Sequence, residues 1–338
     1  MFREDEIVIL VGAGCSAQAS IPTTKEMIDK LETLLKCREW EEYSKFYNFI
    51  KSASQYADGI KGKFEENIDI ERLINVISEL EKKENSVLYP FIGSWNPRLL
   101  EIAGYDFEII VKFKQKILQE LKKWVSLKDY KSADYYHRFF EFQSEYNYSL
   151  RVFSLNYDLC LEENKPEGRE LERGFDTNTR TWEWKRFERS DDYQPVIYLY
   201  KLHGSIDWER DIERGGVLKE VDSIPDVPDL IFGTDYKMQY IDPYLFSLYE
   251  LRKYSLLSKV ILSIGYSFRD EHINGILEQA LQNRADRRII AVTPNADKIS
   301  AKLPRMSGQL IPVAKKAKEF LDELSIGYIV ELLKKIGN

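Results

Sequence analysis

The 338-residue sequence has few cysteines and few histidines, three of each. Cys15, Cys37 and Cys160 are widely separated and form no Cys-x-x-Cys pair. This excludes a disulfide framework and a zinc site built from paired cysteines. Cys15 follows two glycines in a short turn, where we interpret it as a small space-filling residue and not as a nucleophile. Because histidine is the usual base near neutral pH, its scarcity leaves few candidate catalytic bases.

The sequence also lacks long hydrophobic runs. None approaches the roughly 20 residues that span a bilayer, and the first residues, Met1 to Glu6, lack the layout of a signal peptide. The formal net charge of −7 argues against broad binding to nucleic acid or to anionic membranes. We therefore expect a cytoplasmic protein that does not bind membranes. Its 43% hydrophobic residues suffice for a sizeable core.

The best-defined local pattern is a strand, a glycine turn and a helix. Ile7 to Val11 form a continuous apolar run, and the sequence Gly-Ala-Gly-Cys-Ser follows at positions 12–16. Thr23 and Glu26 then have the spacing of a capping box. Such a turn favours a phosphate ligand, although Ala17 replaces the third glycine of the dinucleotide fingerprint. A tight connection without a ligand remains the alternative.

The rest of the chain predicts an α/β fold, a Rossmann-like doubly wound parallel sheet with a helical insertion or small lobe. Residues 37–128 show apolar residues at helical spacing and little that indicates a strand. We predict that they form the insertion, and that residues 1–36 and 129–338 form the core. Residues 164–194 are interpreted as a long polar loop or a short hairpin, residues 209–228 as another polar connection, and the tail from Val313 as helical. Further buried strands are predicted at 150–155, 196–202, 260–264 and 288–292.

Polar or small residues follow several of these strands. Asn156 and Asp158 follow the second strand, His203 the next, and Gly265 and Ser267 another. Because the carboxyl ends of parallel strands meet at one edge of an open sheet, these residues are predicted to converge there.

Taken in order, these motifs resemble the sirtuin-like family. They are Gly-Ala-Gly-x-Ser, Asn-x-Asp, Lys-Leu-His-Gly and Gly-Tyr-Ser-Phe-x-Asp-x-His-Ile-Asn. The chain resembles the divergent bacterial branch more than the deacetylases. It has Leu155 where those enzymes carry glutamine, has Ile-Pro-Thr-Thr-Lys at 21–25 in place of Gly-Ile-Pro-Asp-Phe-Arg, and lacks the cysteine pairs of their zinc module. The resemblance implies an NAD-binding core without zinc, in an anti-phage defence effector that hydrolyses NAD.

The resemblance also implies which residues bind NAD. The diphosphate would be held by Gly12, Ala13, Gly14 and Ser16, through their backbone amides and the Ser16 hydroxyl. The adenosine half would contact Gly265 and Ser267, and Asn295 would lie near the adenine ribose.

Three side chains are predicted to serve catalysis. Cleavage of the nicotinamide–ribose bond has a good leaving group, so the enzyme must mainly orient the ribose and a water and stabilise positive charge. Asn156 suits that orientation, His203 suits the role of base, and Asp158 orients Asn156 or the ribose. The alternatives are that Asn156 and Asp158 only shape their turn and that His203 is structural. Lys201 is interpreted as an exposed strand residue. His272 matches the last motif, and for it capping or packing stands beside catalysis as the alternative.

The predicted function is a gated NAD hydrolase (NADase) that releases nicotinamide and ADP-ribose. Gating is expected through self-assembly into a homo-oligomer or through a protein partner, for which the resemblance suggests a HerA-type hexameric ATPase. Direct nucleic-acid binding is not expected. One alternative is an NAD-dependent protein deacylase or ADP-ribosyltransferase. Another is a non-catalytic subunit that senses NAD or ADP-ribose.

Overall fold

A seven-stranded parallel sheet forms the centre of the fold. In this computed structural model the strands run in the order β3-β4-β2-β1-β7-β8-β9, and a separate antiparallel pair is formed by β5 and β6. The strands are β1 Ile7–Val11, β2 Leu150–Ser154, β3 Leu171–Glu172, β4 Ile197–Lys201, β5 Trp208–Asp211, β6 Val217–Glu220, β7 Val260–Ile264, β8 Arg288–Val292 and β9 Leu310–Val313. The structure describes residues 2–62, 68–82, 85, 97–104, 106–188, 194–211, 215–226, 228–231 and 241–334.

The central strands were predicted because they are buried on both faces. Every residue of β1, β2, β4 and β7 is buried. A strand covered by helices on both sides has no polar face, so its sequence is a nearly continuous apolar run. The α/β prediction is confirmed, and the sheet has the doubly wound arrangement, since the chain builds outward from β1 in both directions.

Helices account for most of the remaining described residues. The capping box of the first helix is confirmed, because the Thr23 side chain accepts from the Glu26 amide and the Glu26 carboxylate accepts from the Thr23 amide. The helices are α1 Thr24–Leu34, α2 Ser44–Ile60, α3 Ile70–Glu81, α4 Pro97–Ala103, α5 Glu108–Val125, α6 Arg138–Tyr146, α7 Cys160–Glu163, α8 Tyr244–Leu257, α9 Glu271–Asn283, α10 Ala296–Lys302, α11 Ala317–Glu323 and α12 Ile326–Lys334.

Two edge strands and one hairpin were not predicted. β3 has two residues, and β9 contains Pro312, which only an edge strand tolerates well. The β5–β6 hairpin lies in the segments interpreted as polar connections. Trp208 and Leu218 of this hairpin join a small apolar cluster with Phe175, Ile231 and Tyr244. Short or half-exposed strands therefore escape a search for apolar runs.

Contacts divide the chain into two compact units. One comprises Met1–Ile21 and Val125–Asn338, and the other Pro22–Trp124. The second unit contains α1 as well as α2 to α5. The predicted division into a core of 1–36 and 129–338 and an insertion of 37–128 differs in where α1 is assigned, and part of 37–128 lies outside the described residues. The predicted division into an NAD-binding core and a helical insertion stays a prediction.

Candidate active site

The predicted site residues follow neighbouring strands at the carboxyl edge of the sheet. From one side to the other, His203 follows β4, Asn156 follows β2, the turn at 12–16 follows β1, Gly265 follows β7 and Asn295 follows β8. Four spacings of about 4.8 Å place the outer two strands about 19 Å apart. Strands that follow β1 in the chain are added first on the β2 side and later on the β7 side, so the strand order switches between β1 and β7, where open α/β sheets form a crevice.

The glycines of the first turn are required by its contact with the turn after β7. Gly12 donates to the carbonyl of Ile264, and Gly14 donates to that of Gly265, both at 2.9 Å. A Cβ on Gly12 would lie 2.7 Å from Cα of Tyr266. Gly265 has a φ of +68°, and a Cβ there would lie 2.1 Å from the Cys15 nitrogen. Packing of backbone on backbone therefore explains these glycines without any ligand.

The amides of this turn are largely used within the protein. Besides Gly12 and Gly14, Cys15 donates to Gly12 at 2.8 Å and Ser16 donates to Ala13 at 3.2 Å. Two short 3₁₀ turns, Ala13–Cys15 and Ala17–Ala19, lie between the strand and α1. A diphosphate site at this turn stays a prediction, and its support is the position of the turn in the sheet.

Ser16 joins three polar side chains beneath the edge of the sheet. Its hydroxyl is fully buried and lies 2.7 Å from Asp158 Oδ2, 2.7 Å from the Tyr136 hydroxyl and 3.1 Å from Asn156 Nδ2. An ionised carboxylate only accepts, so the single Ser16 proton is donated to Asp158. Tyr136 and Asn156 must then donate to the Ser16 oxygen. The hydroxyl predicted to bind diphosphate is thus already engaged.

This network fixes the orientation of the Asn156 amide. Because Nδ2 donates to Ser16, the other end of the amide, Oδ1, points elsewhere. Oδ1 is buried and has no hydrogen-bond partner among the described residues. A buried acceptor without a donor is costly in a folded protein, so such an atom commonly faces a ligand or an ordered water.

Among the predicted catalytic residues, His203 is the second whose buried side chain has an atom without a hydrogen-bond partner. Its Nε2 lies 3.4 Å from Oδ2 of Asp270, and both side chains are about 5% exposed. Within the described part of the chain, its Nδ1 is buried and has no hydrogen-bond partner. Asp270 is also the N-cap of α9, where Oδ1 accepts from the amides of His272 and Ile273.

Lys201 is buried, so its interpretation as an exposed residue was wrong. Its side chain is 2% exposed, lies 3.3 Å from Glu162 and donates to the backbone carbonyl of Asp158. The contact holds the loop that carries Asn156 and Asp158. Asp158 itself accepts from the Cys160 amide at 3.1 Å.

A second group of buried charges surrounds Arg173. Its guanidinium binds both oxygens of Asp207, at 2.8 and 3.0 Å, and also contacts Glu220 and Glu162. Asp207 lies four residues after His203. Arg173 therefore ties the loop after β4 to the β5–β6 hairpin.

Cys15 does not have the environment of a nucleophile. It is fully buried, and burial raises the pKa of its thiol to about 12. The thiol thus stays protonated at neutral pH, in agreement with its interpretation as a space-filling residue.

The remaining candidates lie nearer the surface. Ser267 and Asn295 are exposed, and Asn295 is the N-cap residue of α10. His272 is partly exposed, and its amide donates to Asp270, so it lies in the first turn of α9 as expected. Tyr136 and Asp270 were missed as site residues. Their sequence positions indicated only helix beginnings, since nothing in the sequence reports contacts across the fold.

Two features are absent from the residues that the structure describes, a metal-binding cluster and a membrane-spanning helix. No cluster of three or more Cys, His, Asp or Glu side chains in the described ranges has the arrangement of a metal site. In the same ranges no helix combines the length and apolar character that crossing a membrane requires.

The structure is a doubly wound parallel α/β fold in which polar residues follow several central strands. The family model described as a SIR2-like domain matches residues 150–319, which is 170 of 338 residues. The chain therefore belongs to the SIR2-like family. No match to a curated protein was found.

The chain is similar to several solved structures of Sir2 proteins. A mutant Sir2 homologue in complex with ADP-ribose is 15% identical, with 97% of this chain and 92% of that chain covered and a TM-score of 0.47. A Sir2 homologue in complex with NAD is 15% identical, with 98% and 88% covered and a TM-score of 0.45. Sir2Tm bound to a propionylated peptide is 10% identical, with 94% and 90% covered and a TM-score of 0.40.

Proposed function

We propose that this protein hydrolyses NAD to nicotinamide and ADP-ribose. The observation that carries the proposal is a pair of buried acceptors, Asn156 Oδ1 and His203 Nδ1, that have no partner among the described residues. They belong to residues that follow the adjacent strands β2 and β4. Membership of the SIR2-like family supports NAD as the substrate.

The two acceptors suit the two tasks of the reaction. Asn156 Oδ1 accepts a hydrogen bond from a ribose hydroxyl or from the attacking water and so orients it. The bond between ribose C1′ and nicotinamide breaks, and its electron pair neutralises the positive charge of the leaving nicotinamide. Water then forms the new bond to C1′ and gives its proton to His203.

The rest of the substrate is assigned by the order of the strands. The diphosphate would lie where the strand order switches between β1 and β7, beside Gly12, Ala13 and Gly14. The adenosine half would then lie towards β7 and β8, near Gly265 and Ser267, with Asn295 near its ribose. Ser16 is assigned to Asn156 and Asp158 instead of the diphosphate, because its hydroxyl already contacts both.

Constant NAD hydrolysis would be toxic, so the proposal includes gating. Self-assembly into a homo-oligomer or a partner such as a HerA-type hexameric ATPase would supply it, in a cytoplasmic anti-phage defence role. These points rest on the resemblance alone. In the same scheme, residues 1–36 and 129–338 form the catalytic core and 37–128 a helical insertion.

The experiment is a product assay with matched variants. Purified protein, alone and with candidate partners, is incubated with NAD, and nicotinamide and ADP-ribose are separated by chromatography. Asn156→Ala and His203→Ala should abolish product formation, while His137→Gln, which changes an exposed histidine, should not. Folding and assembly of each variant are checked by circular dichroism and size-exclusion chromatography.

Other outcomes would favour other functions. Nicotinamide release that requires an acylated peptide or a protein acceptor would favour a deacylase or an ADP-ribosyltransferase. Binding of NAD without product in every assembly state would favour a sensing subunit. Product formation that survives both alanine variants would refute the assigned site.

A further inference from the structure

We propose that Asp270 is the positioning residue of His203, and that it makes Nδ1 the atom of His203 that accepts the proton. Its role in catalysis rests on the proposed hydrolase, whereas its effect on the His203 ring does not. Asp270 belongs to the turn and helix after β7, while His203 follows β4.

The contact between the two side chains determines which nitrogen carries the proton. Asp270 Oδ2 lies 3.4 Å from Nε2 of His203, and Oδ1 of the same carboxylate accepts two amide bonds at the beginning of α9. A carboxylate held in this way presents only acceptors to the ring. With a carboxylate at this distance the neutral imidazole is expected to carry its proton on Nε2, the nitrogen nearer Asp270, which leaves the lone pair on Nδ1.

The buried Nδ1 is the complementary observation. It has no partner among the residues the structure describes, although the side chain is almost fully buried. One ring nitrogen is thus oriented by a carboxylate, and the other is available to a substrate or a water. When Nδ1 takes a proton from water, the positive ring that results keeps its Nε2–H on the negative Asp270.

Asp270 also restrains the orientation of the His203 ring, because its own carboxylate is held in place. Its two bonds to the His272 and Ile273 amides hold the carboxylate at the N-terminus of α9. The carbonyl of His203 accepts from the Ile231 amide at 2.9 Å, which restrains the backbone on the other side. Asp270 therefore restrains the ring of His203, and Ile231 restrains its backbone, before any substrate binds.

The test exploits the fact that Asn and Ser cap helices about as well as Asp. In Asp270→Asn, Oδ1 continues to cap α9, so the amide Nδ2 faces His203. Because this amide nitrogen donates a hydrogen bond, Nε2 of His203 must accept it and can carry no proton. The proton of the neutral ring therefore moves to Nδ1. In Asp270→Ser the cap remains and no second group reaches His203, so both tautomers are populated.

The measurement is ¹⁵N NMR of the histidine side chains in the full-length protein. The chain has only three histidines, and a His137→Gln, His272→Gln background leaves His203 alone. Spectra are recorded at a pH high enough that the signals no longer move. We expect the Nε2–H tautomer with Asp270, the Nδ1–H tautomer in Asp270→Asn and a mixture in Asp270→Ser. Hydrolysis should fall about 100-fold in Asp270→Asn.

Each outcome decides between the claims. An Nδ1–H tautomer in the protein with Asp270 intact overturns the inference, even if neither variant folds. An unchanged tautomer in Asp270→Asn overturns it as well. The expected tautomers without any NAD hydrolysis would support the arrangement of Asp270 and His203 and refute the hydrolase. An unchanged hydrolysis rate in Asp270→Asn with a shifted tautomer would remove Asp270 from the reaction.

Discussion

Ser16 donates its only hydroxyl proton to Asp158 across 2.7 Å in the buried layer under the candidate site. One proton committed to one carboxylate means that the other neighbours of Ser16 must be donors. Asn156 fulfils this condition through Nδ2, which is why Oδ1 points away from the network. The direction of Asn156 Oδ1, the proposed substrate contact, thus follows from the Asp158 carboxylate two residues further along the chain.

The first prediction concerns Asn156→Asp. A carboxylate at this position finds no proton on Ser16 and lies close to Asp158, so it should turn away from its present orientation. We expect kcat for NAD hydrolysis to fall about 100-fold through lost orientation of the reacting groups. The matched control is Asn164→Asp, since Asn164 donates only to backbone carbonyls. Equal losses of activity in the two variants would contradict the assignment.

The second prediction compares two consecutive tyrosines. The Tyr136 hydroxyl binds the Ser16 side chain, whereas the Tyr135 hydroxyl binds the carbonyl of Cys15 at 2.6 Å. Tyr136→Phe should lower kcat about tenfold with little change in KM, because one buried hydrogen bond that orients Ser16 is lost. Tyr135→Phe loses a similar hydroxyl and should retain the wild-type kcat. If both variants lose the same activity, the effect is general destabilisation.

The third prediction concerns the contact between the two turns. Gly265→Ala places a methyl group against the Cys15 backbone at a positive φ, so it should reduce the free energy of unfolding by more than about 2 kcal/mol. Gly275→Ala is the control, since it lies in α9 with open space around it. It should stabilise the protein by about 0.5–1 kcal/mol. Denaturant titrations measure both values, and a neutral Gly265→Ala would refute the tight contact.

The fourth prediction is a loss of stability in alkali that depends on Cys15. Burial keeps this thiol protonated up to a pKa of about 12 in the folded state, whereas it ionises near its ordinary pKa of about 8.5 when unfolded. Between these two pKa values the folded state binds more protons than the unfolded state, so the free energy of unfolding falls as pH rises. The free energy should decrease by about 1.4 kcal/mol per pH unit in this range relative to Cys15→Ala. Cys37→Ala, which alters an exposed thiol, should behave like the wild type.

The sequence predicted the parts of this protein whose pattern is local. The strand at Val260–Ile264 is an apolar run because both its faces are buried, and the Thr23 capping box needs only three residues of spacing. Contacts between distant segments have no such signature. Lys201 was interpreted as exposed because lysine usually is, yet its ammonium group is paired with Glu162. The position of Asp270 beside His203 depends on the order of strands in the sheet, which the sequence does not display.

The fifth prediction concerns the buried charges around Arg173. Arg173→Met would leave Asp207, Glu162 and Glu220 without their shared cation, so the free energy of unfolding should fall by about 3–5 kcal/mol. Arg180→Met is the control. Arg180 is 40% exposed and also pairs with Glu220, and its loss should cost about 0–1 kcal/mol.

The acid dependence of the same variant gives an independent check. Burial alone raises the pKa of Asp207, but the charge and hydrogen bonds of Arg173 outweigh it and hold that pKa below its ordinary value. A lowered pKa contributes stability above the unfolded pKa of about 3.9, and this contribution is lost as pH falls through the folded value. Arg173→Met removes the cause of the lowering and leaves burial. Its stability should therefore fall less steeply in acid than that of the wild type, and an equal slope would show that Arg173 does not set the charge of Asp207.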